Sequence, residues 1–143
     1  VLPYEEGSRV PLIIVAPGVT QAGSETAETV SLMDLYPTLV ELAGLEMPTH
    51  LEGLSLVPLL ENPERVWNRP AVSTNGFRIH AVSTNRYRYL RYADGSEELY
   101  DLEMDPNEWY NLAGDPQFSS VQADLAEWLP EHDEPTDISA SRN

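Results

Sequence analysis

Cysteine and lysine are both missing from this 143-residue chain. The first absence excludes disulfides, thiolate zinc sites and a cysteine nucleophile, and it leaves the redox compartment unreadable. The second makes arginine the only basic residue type: Arg9, Arg65, Arg69, Arg78, Arg86, Arg88, Arg91 and Arg142 face 24 acids, for a formal charge of −16. A surface of that sign repels nucleic acid and anionic membranes at long range, so neither is expected as a partner. Long apolar runs are also lacking, because Pro11 and Pro17 cut off residues 12–16 far short of membrane-spanning length. No basic stretch followed by an apolar one opens the sequence, so no signal peptide is visible. The three histidines, His50, His80 and His132, are scattered, and without a close ligand pair no metal site is expected.

What is present supports a folded core, since 41% of the residues are hydrophobic. Residues 10–16 form a near-continuous apolar run, the pattern of a strand covered on both faces. A parallel strand needs neighbours of the same kind, and no second such run occurs. After a polar loop over residues 19–30, Ser31 or Asp34 caps a predicted helix reaching Ala43, with Gly44 just beyond its end. Leu32, Leu35, Leu39 and Leu42 give that helix one apolar face, and Pro37 falls in its first turns, where amide donors lack partners anyway. Residues 61–70 read as a connection.

Strand signals take over beyond Pro70. Residues 71–74 and 77–84 flank Asn75-Gly76, a strong hairpin signal; residues 86–92 and 97–101 give two more strands around a turn at residues 93–96. Ala-Val-Ser-Thr-Asn occurs at both 71–75 and 81–85, which reflects similar strands of one sheet rather than a repeat architecture. Asp105-Pro106 and Asp115-Pro116 both read as helix starts. Phe118, Val121, Leu125 and Trp128 form a stripe expected to pack on the small sheet, and Pro130 ends that helix. Residues 131–143 read as an acidic tail without a fixed structure.

Four segments in order carry a family resemblance: Tyr4-Glu5-Glu6-Gly7-Ser8-Arg9-Val10-Pro11-Leu12-Ile13-Ile14-Val15-Ala16-Pro17-Gly18, the V-x-x-x-D-x-x-P-T-x-x-x-L-A-G pattern at residues 30–44, Gly53-Leu54-Ser55-Leu56-Val57-Pro58-Leu59-Leu60, and Asp105-Pro106-Asn107-Glu108-Trp109-Tyr110-Asn111-Leu112. Over roughly residues 4–130 the chain resembles the C-terminal portion of a sulfatase of the alkaline phosphatase superfamily, most like bacterial iduronate-2-sulfatase-like enzymes. The resemblance implies an α/β parentage, α+β within this fragment. Residues 1–69 would be the last part of the catalytic α/β domain, and residues 70–130 a small antiparallel four-stranded sheet with a C-terminal helix.

Sulfatases of this type use a formylglycine nucleophile, made in a C/S-x-P-x-R motif, and a calcium ion. The motif does not occur here, and Val1-Leu2-Pro3 lacks the lysine expected before the Tyr-Glu pair. No catalytic and no metal-binding residue is therefore assigned, and calcium and formylglycine are expected in a catalytic part outside this chain. By itself the chain is expected not to hydrolyse sulfate esters. Its expected role is support of sulfate ester hydrolysis, on a sulfated polysaccharide, together with that catalytic portion or a second chain. The alternative is a freestanding non-catalytic module that binds a glycan or self-associates as a homodimer through the strand at residues 10–16. Family resemblance alone would place the protein in the periplasm or outside the cell.

Two residues are candidates for substrate contact. His80 sits beside a predicted strand, where it would line a cleft and meet an anionic sugar; the competing reading is a strand histidine that is exposed or satisfied by a neighbour. Arg78 belongs to a cluster with Arg86, Arg88 and Arg91, whose guanidinium forks suit sulfate and carboxylate groups. Internal pairing with Asp94, Glu97, Glu98 and Asp101 is the stronger reading for the cluster. Glu5 and Arg9 are read as a structural pair, and Asp34 as a helix cap.

Overall fold

The computed structural model describes residues 4–133. They divide into two compact units, one of residues 10–71 and one that joins the segment up to Arg9 to the chain from Val72 onward. Among the described residues no helix is long and apolar enough to cross a membrane.

In the first unit a one-turn 3-10 segment, Leu32–Asp34, runs into helix α2, Leu35–Leu42. (Helix α1, Glu5–Ser8, belongs to the other unit.) The start is a capping box: Ser31 Oγ accepts from the Met33 amide and the Asp34 carboxylate accepts from the Ser31 amide. Pro37 lies in the first turn, as expected, and Gly44 adopts φ +65° just past the end, where a side chain would be strained. The segment after residue 52 is strapped to this helix. Asp34 Oδ1 accepts from the Leu54 amide at 2.9 Å and from Arg69 at 3.2 Å, while Thr38 Oγ1 accepts from the Leu56 amide at 2.8 Å. Gly53 sits so close that an added Cβ would stand 2.0 Å from the Met33 carbonyl oxygen. A short helix α3, Val57–Glu61, then buries Val57 and Leu59. The pattern with Asp34, Pro37, Thr38 and Gly53 is thus explained by one packed corner.

The expected strand over residues 10–16 does not form in this unit. Ile13 and Val15 are 87% and 81% exposed, and Val10 is 57% exposed. The reason is the ladder: a parallel strand takes its hydrogen bonds from neighbours, and the described residues provide none beside it.

The second unit is a four-stranded sheet in sequential order, β1 (Ala71–Thr74), β2 (His80–Ser83), β3 (Tyr87–Arg91) and β4 (Glu97–Asp101). Strands β2, β3 and β4 are antiparallel, with Val82 opposite Tyr89 and Tyr89 opposite Leu99. Both faces are covered. On one, Val82, Tyr89 and Leu99 pack with Leu125 of α4 (Ser119–Ala126), joined by Phe118, Val121 and Leu129. Trp128, expected in that stripe, is 45% exposed, and Leu129 takes its place. On the other face, Ala81, Leu90 and Tyr100 meet Tyr4 and Tyr92. Residues 4–9 thus pack with the sheet, although the sequence reading grouped them with the segment up to residue 69.

Two local expectations change. Asn75-Gly76 does not close a two-residue hairpin: β2 begins at His80, and the intervening loop is held by the Asn75 amide donating to Ile79 O, with Arg78 at φ +58°. Asp105-Pro106 starts no helix. Asp105 instead accepts from the Tyr110 amide, and Glu108 turns the chain at φ +55°. Asp115-Pro116 behaves as read, its carboxylate capping the turn Pro116–Phe118 that leads into α4. Of the predicted acidic tail, residues 134–143 lie outside the described residues.

Candidate functional site

Strand β2 begins with His80, whose ring is buried (side chain 6% exposed). Its Nδ1 lies 2.9 Å from Thr74 Oγ1 on β1, and its Nε2 lies 2.7 Å from Asp133 Oδ1. An ionised carboxylate only accepts, so Nε2 carries the hydrogen and donates to Asp133. The other Asp133 oxygen faces Arg78 Nε at 3.8 Å. Arg78 is 62% exposed, and its guanidinium stacks 5.0 Å from the Phe77 ring centre. The structure therefore brings the two sequence-picked residues together, through a carboxylate that the sequence reading had left in the tail. His80 is a satisfied histidine with one ring nitrogen aimed at an oxyanion. Chemically, the arrangement holds one carboxylate between a ring N–H and a guanidinium.

The other arginines of the cluster go elsewhere. Arg86 binds Asp101 at 2.7 Å and holds that carboxyl below its ordinary range, chiefly through this hydrogen bond. Arg91 binds Glu97 at 2.9 Å, and Glu97 also accepts from Tyr89 Oη and from Gln122 at 2.6 Å. The Tyr89 hydrogen bond is the main cause that lowers the Glu97 carboxyl, while burial pushes the Tyr89 phenol up to about 12. Tyr89, Arg91, Glu97 and Gln122 line an open groove of about 320 Å³ with Ser119, Ala123 and Ala126.

Arg88 is 2% exposed and lies in the second unit among Glu5, Ser8 and Glu108. It donates to the Glu5 carboxylate, reaches Ser8 Oγ at 2.7 Å, and its Nε faces Glu108 Oε1 at 3.1 Å. That last contact is a charge contact rather than an aligned hydrogen bond. Glu108 Oε2 also accepts from the Glu5 amide at 2.8 Å, and burial raises its carboxyl above the ordinary range. The Tyr4-Glu5 pair and the D-P-x-E pattern, about a hundred residues apart, meet on this guanidinium. Asn111, from the same pattern, accepts from the Leu99 amide at 3.0 Å and donates to Glu97 O at 3.1 Å, covering the free edge of β4.

Sequence reasoning missed Thr74, Asp133, Ser8 and Glu108 as partners. Glu108 carried a signal, as the acid of its motif; Asp133 carried none, because it stands 53 residues from His80. His50 and His132 are exposed. The family resemblance implies calcium and formylglycine. Among the described residues no three His, Asp or Glu are grouped to hold an ion. No step is assigned through such a group.

Residues 2–134 match the family profile described as N-sulphoglucosamine sulphohydrolase, C-terminal. A sulfatase of Formosa agariphila is 37% identical over 127 residues, covering 89% of this chain and 25% of the relative. A Delta 4,5-hexuronate-2-O-sulfatase of Bacteroides thetaiotaomicron is 35% identical over 132 residues, covering 85% of this chain and 27% of that protein. Among solved structures, a 2-O GAG sulfatase superposes with TM-score 0.56 at 35% identity, covering 66% of this chain and 22% of the other. The chain thus spans about a quarter of the length of the curated relatives it matches. Fold, motifs and relatives agree: the chain belongs to the sulfatases of the alkaline phosphatase superfamily, as their C-terminal domain.

Proposed function

We propose that the chain works as the C-terminal part of a sulfatase acting on a sulfated, uronate-containing polysaccharide. In this reading the nucleophile and the calcium site are supplied by a catalytic portion outside residues 1–143. The Arg78–His80 corner faces the acidic sugar. The observation that carries the proposal is the bare apolar surface of the first unit. Val10, Ile13, Val15, Leu39, Leu45 and Val66 are each more than half exposed. A contiguous apolar segment such as residues 10–15 is covered in a working protein, and its backbone, without a strand partner among the described residues, is a template for strand addition. The relatives' printed activities, sulfatase and hexuronate 2-O-sulfatase, support the substrate class.

The test is native mass together with activity. Protein isolated from its source under conditions that keep partners bound is assayed on 4-nitrophenyl sulfate and on a sulfated unsaturated hexuronate disaccharide. Activity is expected only in a species that contains the formylglycine-bearing portion, with the 16.0 kDa chain alone inactive. A stable 16.0 kDa monomer or homodimer as the sole native form would favour the freestanding module instead. Sulfatase activity in the isolated chain would overturn both.

A further inference from the structure

The Asp133 carboxylate bridges His80 Nε2 and Arg78 Nε with one oxygen each, at 2.7 and 3.8 Å. Two neighbouring oxygens of a uronate carboxylate or a sulfate ester would meet the same two donors in the same way. We propose that Asp133 is an internal stand-in for the substrate's oxyanion: it closes the seat formed by His80 and Arg78 and must swing out before an acidic sugar binds there. The proposal rests on the reading that this corner faces the glycan.

Three features make the contact a removable plug rather than a permanent strut. Asp133 comes from the segment beyond α4, which ends at Ala126, so no helix or strand holds its backbone. Its grip on Arg78 is loose: at 3.8 Å this ion pair is longer than those of Arg86 and Arg91, at 2.7 and 2.9 Å. Arg78 is 62% exposed and Asp133 23%, so the seat opens to solvent on the arginine side. The receiving side, by contrast, is fixed. Thr74 Oγ1 holds His80 Nδ1, and the ring is 6% exposed, which leaves Nε2 pointing at the seat whether or not Asp133 fills it. A buried N–H without an acceptor is costly, so the seat always holds water or an oxyanion. A tethered carboxylate competes at an effective concentration in the millimolar range. It therefore excludes weak single oxyanions while yielding to a sugar that makes further contacts.

The experiment follows the His80 imidazole resonances of the 143-residue chain during titration with sodium sulfate and with a sulfated unsaturated hexuronate disaccharide, at constant ionic strength. His80→Gln identifies the signal. Removing the plug with Asp133→Ala is expected to tighten disaccharide binding by about tenfold, the gain when a seat filled nine-tenths of the time by its own acid is freed. Asp133→Ser is a second, independently folding form of the same test, and Asp133→Glu is expected to bind as weakly as the unaltered chain. Equal affinity in the unaltered chain and both plug-free variants, with His80 shifting, would sink the plug while leaving the binding corner in place. No His80 shift in any of them would remove the corner itself, and the plug with it.

Discussion

Arg88 is the residue on which the sheet unit is most exacting. A guanidinium that is 2% exposed has left water, and Glu5, Ser8 and Glu108 are among the groups that compensate it. Truncating it removes the cation from beside two carboxylates: Glu108 is buried, while Glu5 retains the exposed Arg9 at 3.3 Å. Arg88→Ala should therefore lower unfolding stability by about 3–5 kcal/mol, read from urea denaturation. If the loss came instead from packing alone, Arg88→Met would restore it; on the charge account Arg88→Met stays strongly destabilised until Glu108 is also replaced by Leu. Glu108 pays a second cost in its backbone, since φ +55° is unfavourable for a side chain of its size. That conformation persists because both carboxylate oxygens are engaged, one by Arg88 and one by the Glu5 amide.

Among the elements, β4 is the one that a motif protects. Its outer edge would present free amides and carbonyls, and Asn111 covers them like a short piece of strand. The side chain accepts from the Leu99 and Ala113 amides and donates to Glu97 O, while the Leu112 amide donates to Leu99 O at 2.8 Å. Asn111→Ala should cost about 2 kcal/mol, from amides left without acceptors. Hydrogen exchange of the Leu99 amide is the direct measurement: accelerated exchange is expected, and unchanged protection would mean that the edge is covered by something else.

Elements whose information is local were legible in the sequence. The α2 cap at Ser31 and Asp34, strand β4 at its observed ends, and the Asp115-Pro116 start all follow from nearest neighbours. The five-residue loop at Asn75 was not legible, because the αL position fell on Arg78, a residue with no marked preference for it. The strand expected at residues 10–16 was half legible: its apolar pattern reports what the segment wants to bury, and the lack of a second such run already pointed to a missing neighbour. At the site, Arg78 and His80 could be picked from residue type, whereas Asp133 depends on how the chain returns after α4.

For the molecule as a whole, acid response separates two groups of carboxyls. Asp101, held low chiefly by the Arg86 hydrogen bond, and Glu97, held low chiefly by Tyr89, have depressed folded pKa values. Their stabilisation is complete above the unfolded values of about 4 and is lost as pH falls through the folded ones. Glu108 runs the other way: burial raises its folded pKa, so its charge costs stability at neutral pH and protonation relieves that cost as pH falls. Easing the self-repulsion of a net charge of −16 acts in the same direction. Thermal unfolding midpoints should hold or rise from pH 7 to about 5 and drop below about 4. Asp101→Asn should flatten the acid limb. A midpoint that falls steadily from pH 7 downward would contradict this assignment.

The meeting of Glu5 with Glu108 also sets a clock on biosynthesis. The two residues are 103 positions apart, and at a translation rate of about 5–20 residues per second the partner leaves the ribosome about 5–20 s later. For that interval Tyr4 and Glu5 have no sheet to join, while residues 10–71, already made, can fold as their own unit. The opening segment must wait, kept from wrong pairings, until the loop at residues 105–111 arrives to receive it.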